Sequence, residues 1–126
     1  VGGMIALMKA SYETLVDAGY PKHLAYIECC HEVKQVADLV YNKGIVHMLE
    51  AISDTAELGA YAAMNELDDD SLRTKLRNIL RYIQEGTFAS NLINKNITNM
   101  RDEFKASEIE KIGKEIRSFM PKGTDG

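Results

Sequence analysis

The chain has 126 residues, a length typical of one domain that can bury a modest core. Its formal net charge of −4 at pH 7 gives no electrostatic reason to expect binding to nucleic acid or to an anionic membrane. It contains only two prolines and no tryptophan, and residues that favour helix, such as Ala, Leu, Glu and Lys, are common.

Sequence features that direct a protein to a membrane or a compartment are few. No apolar run approaches the ~20 residues of a membrane span, and no basic segment followed by an apolar one indicates a signal peptide. The chain begins with Val1 rather than methionine, which we interpret as a piece of a longer protein. The only cysteines, Cys29 and Cys30, are adjacent on a predicted helix, where an intrachain disulfide would distort the backbone. Two free thiols indicate a reducing compartment.

Helical periodicity and stop signals predict an all-α chain of seven or eight helices of unequal length. The first six are expected at residues 4 to about 18, 21 to about 41, 45 to about 52, 54 to about 65, from the polar break at 68–71 to Gly86, and 87 to about 97. Of these, the segment at 45–52 is expected as a short apolar helix or a turn. A loop is expected at the asparagine-rich residues 94–99, followed by a last helix that Pro121 ends. We therefore predict one helical domain at residues 1–121 and a disordered tail at 122–126.

Short motifs predict where some of these helices begin. Asp54 with Glu57 three residues later fits a reciprocal N-cap, and Ser107 with Glu110 fits a capping box. The acidic break at residues 68–71 suits the positive end of the next helix. That helix carries a continuous apolar stripe formed by Leu72, Leu76, Ile79, Leu80 and Ile83.

The candidate chemistry lies on the helix after Pro21. Glu28 and Glu32 are four residues apart, so both carboxylates project from one helical face about one turn from each other. Like charges at this spacing disfavour an isolated helix slightly, whereas a hard divalent cation such as Mg²⁺ prefers such oxygen ligands. On periodicity alone, a solvated acidic face beside Lys34 is the competing interpretation.

Other motifs support weaker hypotheses. Glu28-x-x-His31 matches one unit of the helical di-iron bundles, which need a second copy and two further glutamates. A capping or packing role is the plainer interpretation of His31. Ser53 is either a cap for the next helix or a hydroxyl that faces a small anionic ligand beside helix-start N–H groups.

Five segments together resemble the C-terminal helical domain of ketol-acid reductoisomerase. They are AGYP at residues 18–21, AYIECCHEVK at 25–34, ISDTAELG at 52–59, IQEGTFA at 83–89 and IGKEIR at 112–117. The similarity runs along most of the chain and is strongest at residues 3–59. Its most specific feature is the glutamate pair followed downstream by Ser-x-Thr-Ala-Glu.

The resemblance implies an enzyme that uses two Mg²⁺ ions and NADPH to shift an alkyl group in an acetohydroxy acid and to reduce the product. This is a step of valine and isoleucine synthesis. It implies that Glu28 and Glu32 bind one of the metals and that Ser53 contacts the substrate. It also implies an interlocked homodimer with a knotted backbone, in the bacterial cytoplasm or in the stroma or matrix of an organelle.

The same resemblance implies that these residues hold only part of an active site. The NADPH-binding domain of the family, and an upstream Asp and Glu that bind and bridge its metals, have no counterpart here. We therefore expect weak, millimolar Mg²⁺ binding, NADPH binding only through the missing domain, and no activity of the chain alone. The alternatives are a non-enzymatic helical dimerisation module and, less favoured, a di-iron bundle.

Overall fold

A computed structural model describes residues 1–120, except for the side chain of Asn94, and every regular element in that range is helical. The elements are α1 (Gly2–Asp17), α2 (Lys22–Tyr26), a π-helical segment (Ile27–His31), α3 (Val33–Lys43), α4 (Ile45–Ala51), α5 (Asp54–Leu67), α6 (Asp70–Gln84), α7 (Thr87–Asn94), α8 (Ile97–Ala106) and α9 (Glu108–Phe119). Because α2, the π segment and α3 run on with only Glu32 between them, the described chain forms eight successive helical rods. The all-α prediction is confirmed, and the predicted tail at residues 122–126 lies outside the described residues.

Two predicted helix stops are glycines with a left-handed backbone. Gly19, with φ 90°, follows α1, and its amide donates to the Val16 carbonyl at 2.9 Å. The amide of Tyr20 donates to the Leu15 carbonyl at 3.0 Å, which completes a Schellman motif. Gly86, with φ 75°, ends α6 in the same conformation. Both stops follow from glycine's freedom from a Cβ clash at positive φ.

Of the two residues predicted to cap α5, Ser53 and Asp54, the structure confirms Ser53, and the cap predicted at Asp54 is wrong. The N-cap is Ser53, whose Oγ accepts a hydrogen bond from the Ala56 amide at 3.3 Å. Ser53 has an extended backbone, with φ −69° and ψ 151°, whereas Asp54 is already the first helical residue. The acidic break before α6 acts as predicted, since Asp69 accepts from the Leu72 amide at 2.8 Å.

The predicted capping box at α9 does not form. Ser107 occupies the N-cap position, but its hydroxyl donates to the Phe104 carbonyl at 2.5 Å. Glu110 instead accepts from Arg117 Nη2 at 2.6 Å. The side chain of Arg117, two turns further along α9, competes successfully with the backbone for this carboxylate.

The loop predicted at residues 94–99 is largely helical. α7 ends at Asn94 rather than near residue 97, and α8, which was not predicted, begins at Ile97. Ile97, Met100 and Phe104 recur at helical spacing along α8. The asparagines around them are weak helix formers, and for that reason a loop was predicted here.

The chain divides into two compact units, of which the first combines Val1–Tyr41 with the described part of Thr98–Gly126. Its core contains Tyr12, Ala25, Cys30 and Ile109, all buried. Partly buried side chains of α1 and of the α2–π region surround them. α2 packs against both α1 and α9, so this unit joins the two ends of the described chain.

The second unit, Asn42–Ile97, leaves most of its apolar side chains uncovered. Leu49 is the only buried residue among those described in it, and α5 and α6 bury none. The predicted stripe of α6 is exposed throughout, from 39% at Leu72 to 57% at Ile79. This unit therefore presents an apolar face rather than enclosing a core of its own.

Polar contacts join α9 to α1 and α2 across the first unit. Lys22 forms an ion pair with Glu108, and His23 Nε2 lies 2.7 Å from Glu115 Oε2. The hydroxyl of the buried Tyr12 donates to Glu108 Oε2 at 3.3 Å. These contacts link residues 86 to 96 positions apart in the sequence.

Tyr12 is expected to make the stability of the first unit sensitive to alkali. Burial and the nearby Glu108 carboxylate raise the pKa of Tyr12 from 10.0 to about 12. Since the folded state binds this proton more tightly than the unfolded state, the stabilisation is complete below pH 10 and is lost as the pH rises towards 12. We expect the free energy of unfolding to fall by about 2 kcal/mol over that interval because of this group.

Urea denaturation at a series of pH values measures this effect. Tyr12→Phe should remove the alkaline loss attributed to the phenol, and Tyr41→Phe, at a side chain that is 88% exposed, is the matched control. Identical alkaline profiles for Tyr12→Phe and the unmodified chain would contradict the assignment.

Candidate functional site

Glu28 and Glu32 lie at an irregular turn rather than on the regular α-helix that we predicted. The amide of Glu32 donates to the Ile27 carbonyl at 3.0 Å, a bond that spans five residues and defines a π turn. The amide of Gln35 then donates to the Glu32 carbonyl at 3.0 Å, and α3 continues. Such single π turns within helices often mark functional sites.

Both carboxylates are available to a ligand. Glu28 and Glu32 are exposed, and neither makes a hydrogen bond or an ion pair with any described residue. Lys34, which could have neutralised them, pairs with Asp38 one turn further along α3. The exposure of both carboxylates is therefore compatible with a cation site and equally with the solvated acidic face beside Lys34.

A cleft beside the π segment includes Glu28. Its volume is about 350 Å³, enough for a small organic acid. The walls are mainly apolar side chains of α1 and the start of α3, and Ser11 of α1 adds one hydroxyl. Ser11 was not singled out from the sequence, because only the packing of α1 beside the π segment brings it near Glu28.

The donor set suits a hard cation but is incomplete. Carboxylate oxygens are the ligands that Mg²⁺ prefers, and this ion requires six ligands while often keeping several waters. Within residues 1–120, apart from the Asn94 side chain, no group of three or more His, Cys, Asp or Glu side chains converges on one point. At this turn the described residues therefore offer such an ion at most the two carboxylates of Glu28 and Glu32, and no complete Mg²⁺ site.

The remaining candidate ligands of the segment do not join the pair. His31 is exposed and makes no hydrogen bond with the described residues, so it does not cap a helix there through its side chain. Cys30 is buried and Cys29 is partly buried, and both are free thiols. Burial raises the pKa of each thiol, which keeps both protonated as packing groups.

Ser53 has a defined orientation at the start of α5. One lone pair of its Oγ accepts from the Ala56 amide, so its O–H remains free to donate to a ligand. The residue is exposed and stands beside the N–H groups of the first turn of a 14-residue helix. Both roles expected for Ser53, a cap and a ligand-facing hydroxyl, are compatible with this geometry.

Among the described helices, none is long and apolar enough to cross a membrane.

Comparison with known proteins gives two concordant results. A family model for the C-terminal domain of ketol-acid reductoisomerase matches residues 1–122. A solved structure described as an NADH-preferring ketol-acid reductoisomerase from an uncultured archean is similar, with a TM-score of 0.88 and 34% sequence identity. The similarity covers 94% of this chain but only 38% of that protein, so the chain spans well under half of its relative. The chain belongs to the ketol-acid reductoisomerase C-terminal domain family.

Proposed function

We propose that the chain is the part of a ketol-acid reductoisomerase that contributes metal and substrate ligands to its active site. The whole enzyme would convert an acetohydroxy acid by Mg²⁺-dependent alkyl migration and nicotinamide-dependent reduction, in valine and isoleucine biosynthesis. The observation that carries this proposal is the family match along residues 1–122. The unpaired carboxylates at the π turn add support from this chain's own residues.

Each proposed ligand has a role that follows from its surroundings. Bound Mg²⁺ would polarise the substrate carbonyl and stabilise the adjacent alkoxide. Glu28 and Glu32 would hold the ion through carboxylate oxygens that need not first leave an ion pair. Apolar walls of the cleft, such as Leu7 and Met8, would exclude water from the alkyl part of the substrate. The Ser53 hydroxyl would donate to a substrate oxygen while its own oxygen caps α5.

We assign the hydride donor, expected to be NADPH, to a separate nucleotide-binding domain. The similar archaeal protein is described as NADH-preferring, so we treat the choice between the two cofactors as a property of that domain. The proposed setting is the cytoplasm, or the stroma or matrix of an organelle.

The proposal is tested by comparing the chain alone with the complete enzyme that contains it. We expect the complete enzyme to oxidise NADPH or NADH with acetolactate only when Mg²⁺ is present. The chain alone should show no turnover, because no group of three or more potential metal ligands converges among the described residues. A hydride donor also has to be positioned by protein. A complete enzyme that is inactive with acetolactate at saturating Mg²⁺ would refute the proposal.

We also propose that the exposed apolar face of the second unit is covered in a homodimer. The stripe of α6 is one of several exposed apolar faces in this unit, and a stable chain rarely leaves such patches in water. We expect an interface larger than the ~1,600 Å² of a standard complex. Light scattering should therefore give twice the mass of the chain at micromolar concentration.

A pair of substitutions on α6 tests which face is used. Ile79→Lys, on the stripe, should shift the mass towards a monomer, and Asn78→Lys, the neighbouring position off the stripe, is the matched control. A stable monomer of the unmodified chain would contradict the proposal. A dimerisation module without enzymatic function would pass this test but would fail the acetolactate assay.

A further inference from the structure

Helix α9 packs against the residue that precedes the π segment. Tyr26, the residue just before the segment, lies against Gly113 of α9. A Cβ atom on Gly113 would come within 2.5 Å of the Tyr26 Oη and 2.7 Å of its Cε2. The absence of a side chain at Gly113 is therefore what lets the Tyr26 ring lie directly on the backbone of α9.

A hydrogen bond fixes the far end of the same ring. Arg117 Nη1 donates to the Tyr26 hydroxyl at 3.1 Å, and Arg117 Nη2 donates to Glu110 Oε1 at 2.6 Å. Within the π segment, Cys30 is buried in the core together with Ile109 of α9. The segment is thus anchored to α9 and the core at both Tyr26 and Cys30.

We infer that Tyr26, Gly113 and Arg117 are positioning residues that hold the π turn in register and so orient Glu28 and Glu32. A π turn is rare and accommodates one residue more than an α-helical turn, so it persists only where its surroundings impose it. If the turn relaxed to an α-helix while Tyr26 stayed in place, Glu32 would move around the helix axis by roughly 100°, the step of one residue. The consequence for metal binding rests on the proposed function, whereas the support of the turn by α9 does not.

Amide hydrogen exchange of the metal-free full chain tests the support directly. Tyr26→Phe keeps the ring and removes the hydrogen bond to Arg117. We expect it to speed exchange of the Glu32 amide about tenfold while the buried amides of α1 in the same unit change by less than about twofold. Gly113→Ala, which displaces the ring itself, should have a larger effect on the same amide.

His23→Ala is the matched control, because it breaks another contact between α2 and α9 one turn before Tyr26. It should leave exchange at Glu32 within about twofold of the unmodified chain. Equal acceleration at α1 and at Glu32 in Tyr26→Phe would indicate only a general loss of stability and would overturn the inference. Unchanged exchange at Glu32 in both Tyr26→Phe and Gly113→Ala would also overturn it.

Metal dependence of the complete enzyme tests the consequence for the carboxylates. Tyr26→Phe should raise the Mg²⁺ concentration required for half-maximal rate about tenfold and change the KM for the hydroxy acid by less than about twofold. Faster exchange at Glu32 with an unaltered Mg²⁺ requirement would overturn the orienting role of these residues. Absence of any Mg²⁺ requirement in the unmodified enzyme would instead be a failure of the proposed function.

Discussion

Glu28→Gln or Glu32→Gln is expected to reduce the rate of alkyl migration by the complete enzyme roughly a thousandfold. Each change removes a charged ligand from a metal ion that stabilises the transition state by several kcal/mol. The amide that replaces the carboxylate has the same size, so the fold should be kept. Neither carboxylate has a partner to lose within the described residues, which further separates the catalytic effect from any effect on stability. The rate of migration of acetolactate at saturating Mg²⁺ is the quantity to measure.

Glu103→Gln is the matched control for these variants, since Glu103 is another exposed carboxylate in the first unit. It should retain the unmodified rate within about twofold. A near-normal rate of alkyl migration in either Glu28→Gln or Glu32→Gln would refute the assignment of that residue as a metal ligand.

Substitution of Ser53 in the same enzyme is expected to have a smaller effect on the rate than substitution of either glutamate. Ser53→Ala removes both the cap and the hydroxyl, and the loss of the cap alone destabilises a helix by about 1 kcal/mol. Ser53→Gly removes the same hydroxyl but lowers cap stability by only a few tenths of a kcal/mol, so it isolates the substrate contact. An increase in KM shared by both variants would support that contact.

Gly113→Ala is expected to destabilise the chain by about 1–2 kcal/mol, although alanine is the better helix former by about 1 kcal/mol. The added Cβ would overlap the Tyr26 ring, which must either shift within the first unit or turn away and lose its bond to Arg117. Gly59→Ala is the matched control, because a Cβ there meets nothing within 4 Å, and it should raise stability by up to about 1 kcal/mol. Urea denaturation of both variants measures the difference.

A double-mutant cycle separates this clash from other causes. In a Tyr26→Ala background the ring is absent, so Gly113→Ala should become neutral or stabilising. The same destabilisation with and without the ring would show that the contact between Tyr26 and Gly113 is not responsible.

The helix boundaries set by local chemistry could be predicted, and those that depend on competing partners could not. Gly19 and Gly86 end α1 and α6 as expected, because the ability to adopt positive φ is a property of glycine itself. The capping box at Ser107 failed because Glu110 found a stronger partner in Arg117. The asparagine-rich composition likewise favoured a loop where α8 forms, although Ile97, Met100 and Phe104 recur there at helical spacing.

In the candidate site, too, the features that depend on local sequence could be predicted, and those that depend on distant contacts could not. The spacing of Glu28 and Glu32 was sufficient to single them out, because residues four apart share a helical face. The π turn that carries them has no local signal, since no proline or glycine lies in it. It coincides with the packing of Tyr26 against α9, a contact between residues about 90 positions apart. Periodicity also identified the apolar face of α6, but it could not indicate that the other described residues leave this face exposed.

The discontinuity of the first unit has a consequence for the order in which the chain folds. Helices α1 to α3 are synthesised before α9, which completes their core and follows only after the whole second unit. Closing a loop of this length loses roughly 4 kcal/mol of chain entropy, which the contacts of α9 must offset. During synthesis the turn at Glu28 therefore lacks its support until α9 has left the ribosome. A chain truncated before α9 should accordingly be prone to aggregation, with the apolar side chains of α1 and α2 open to other molecules.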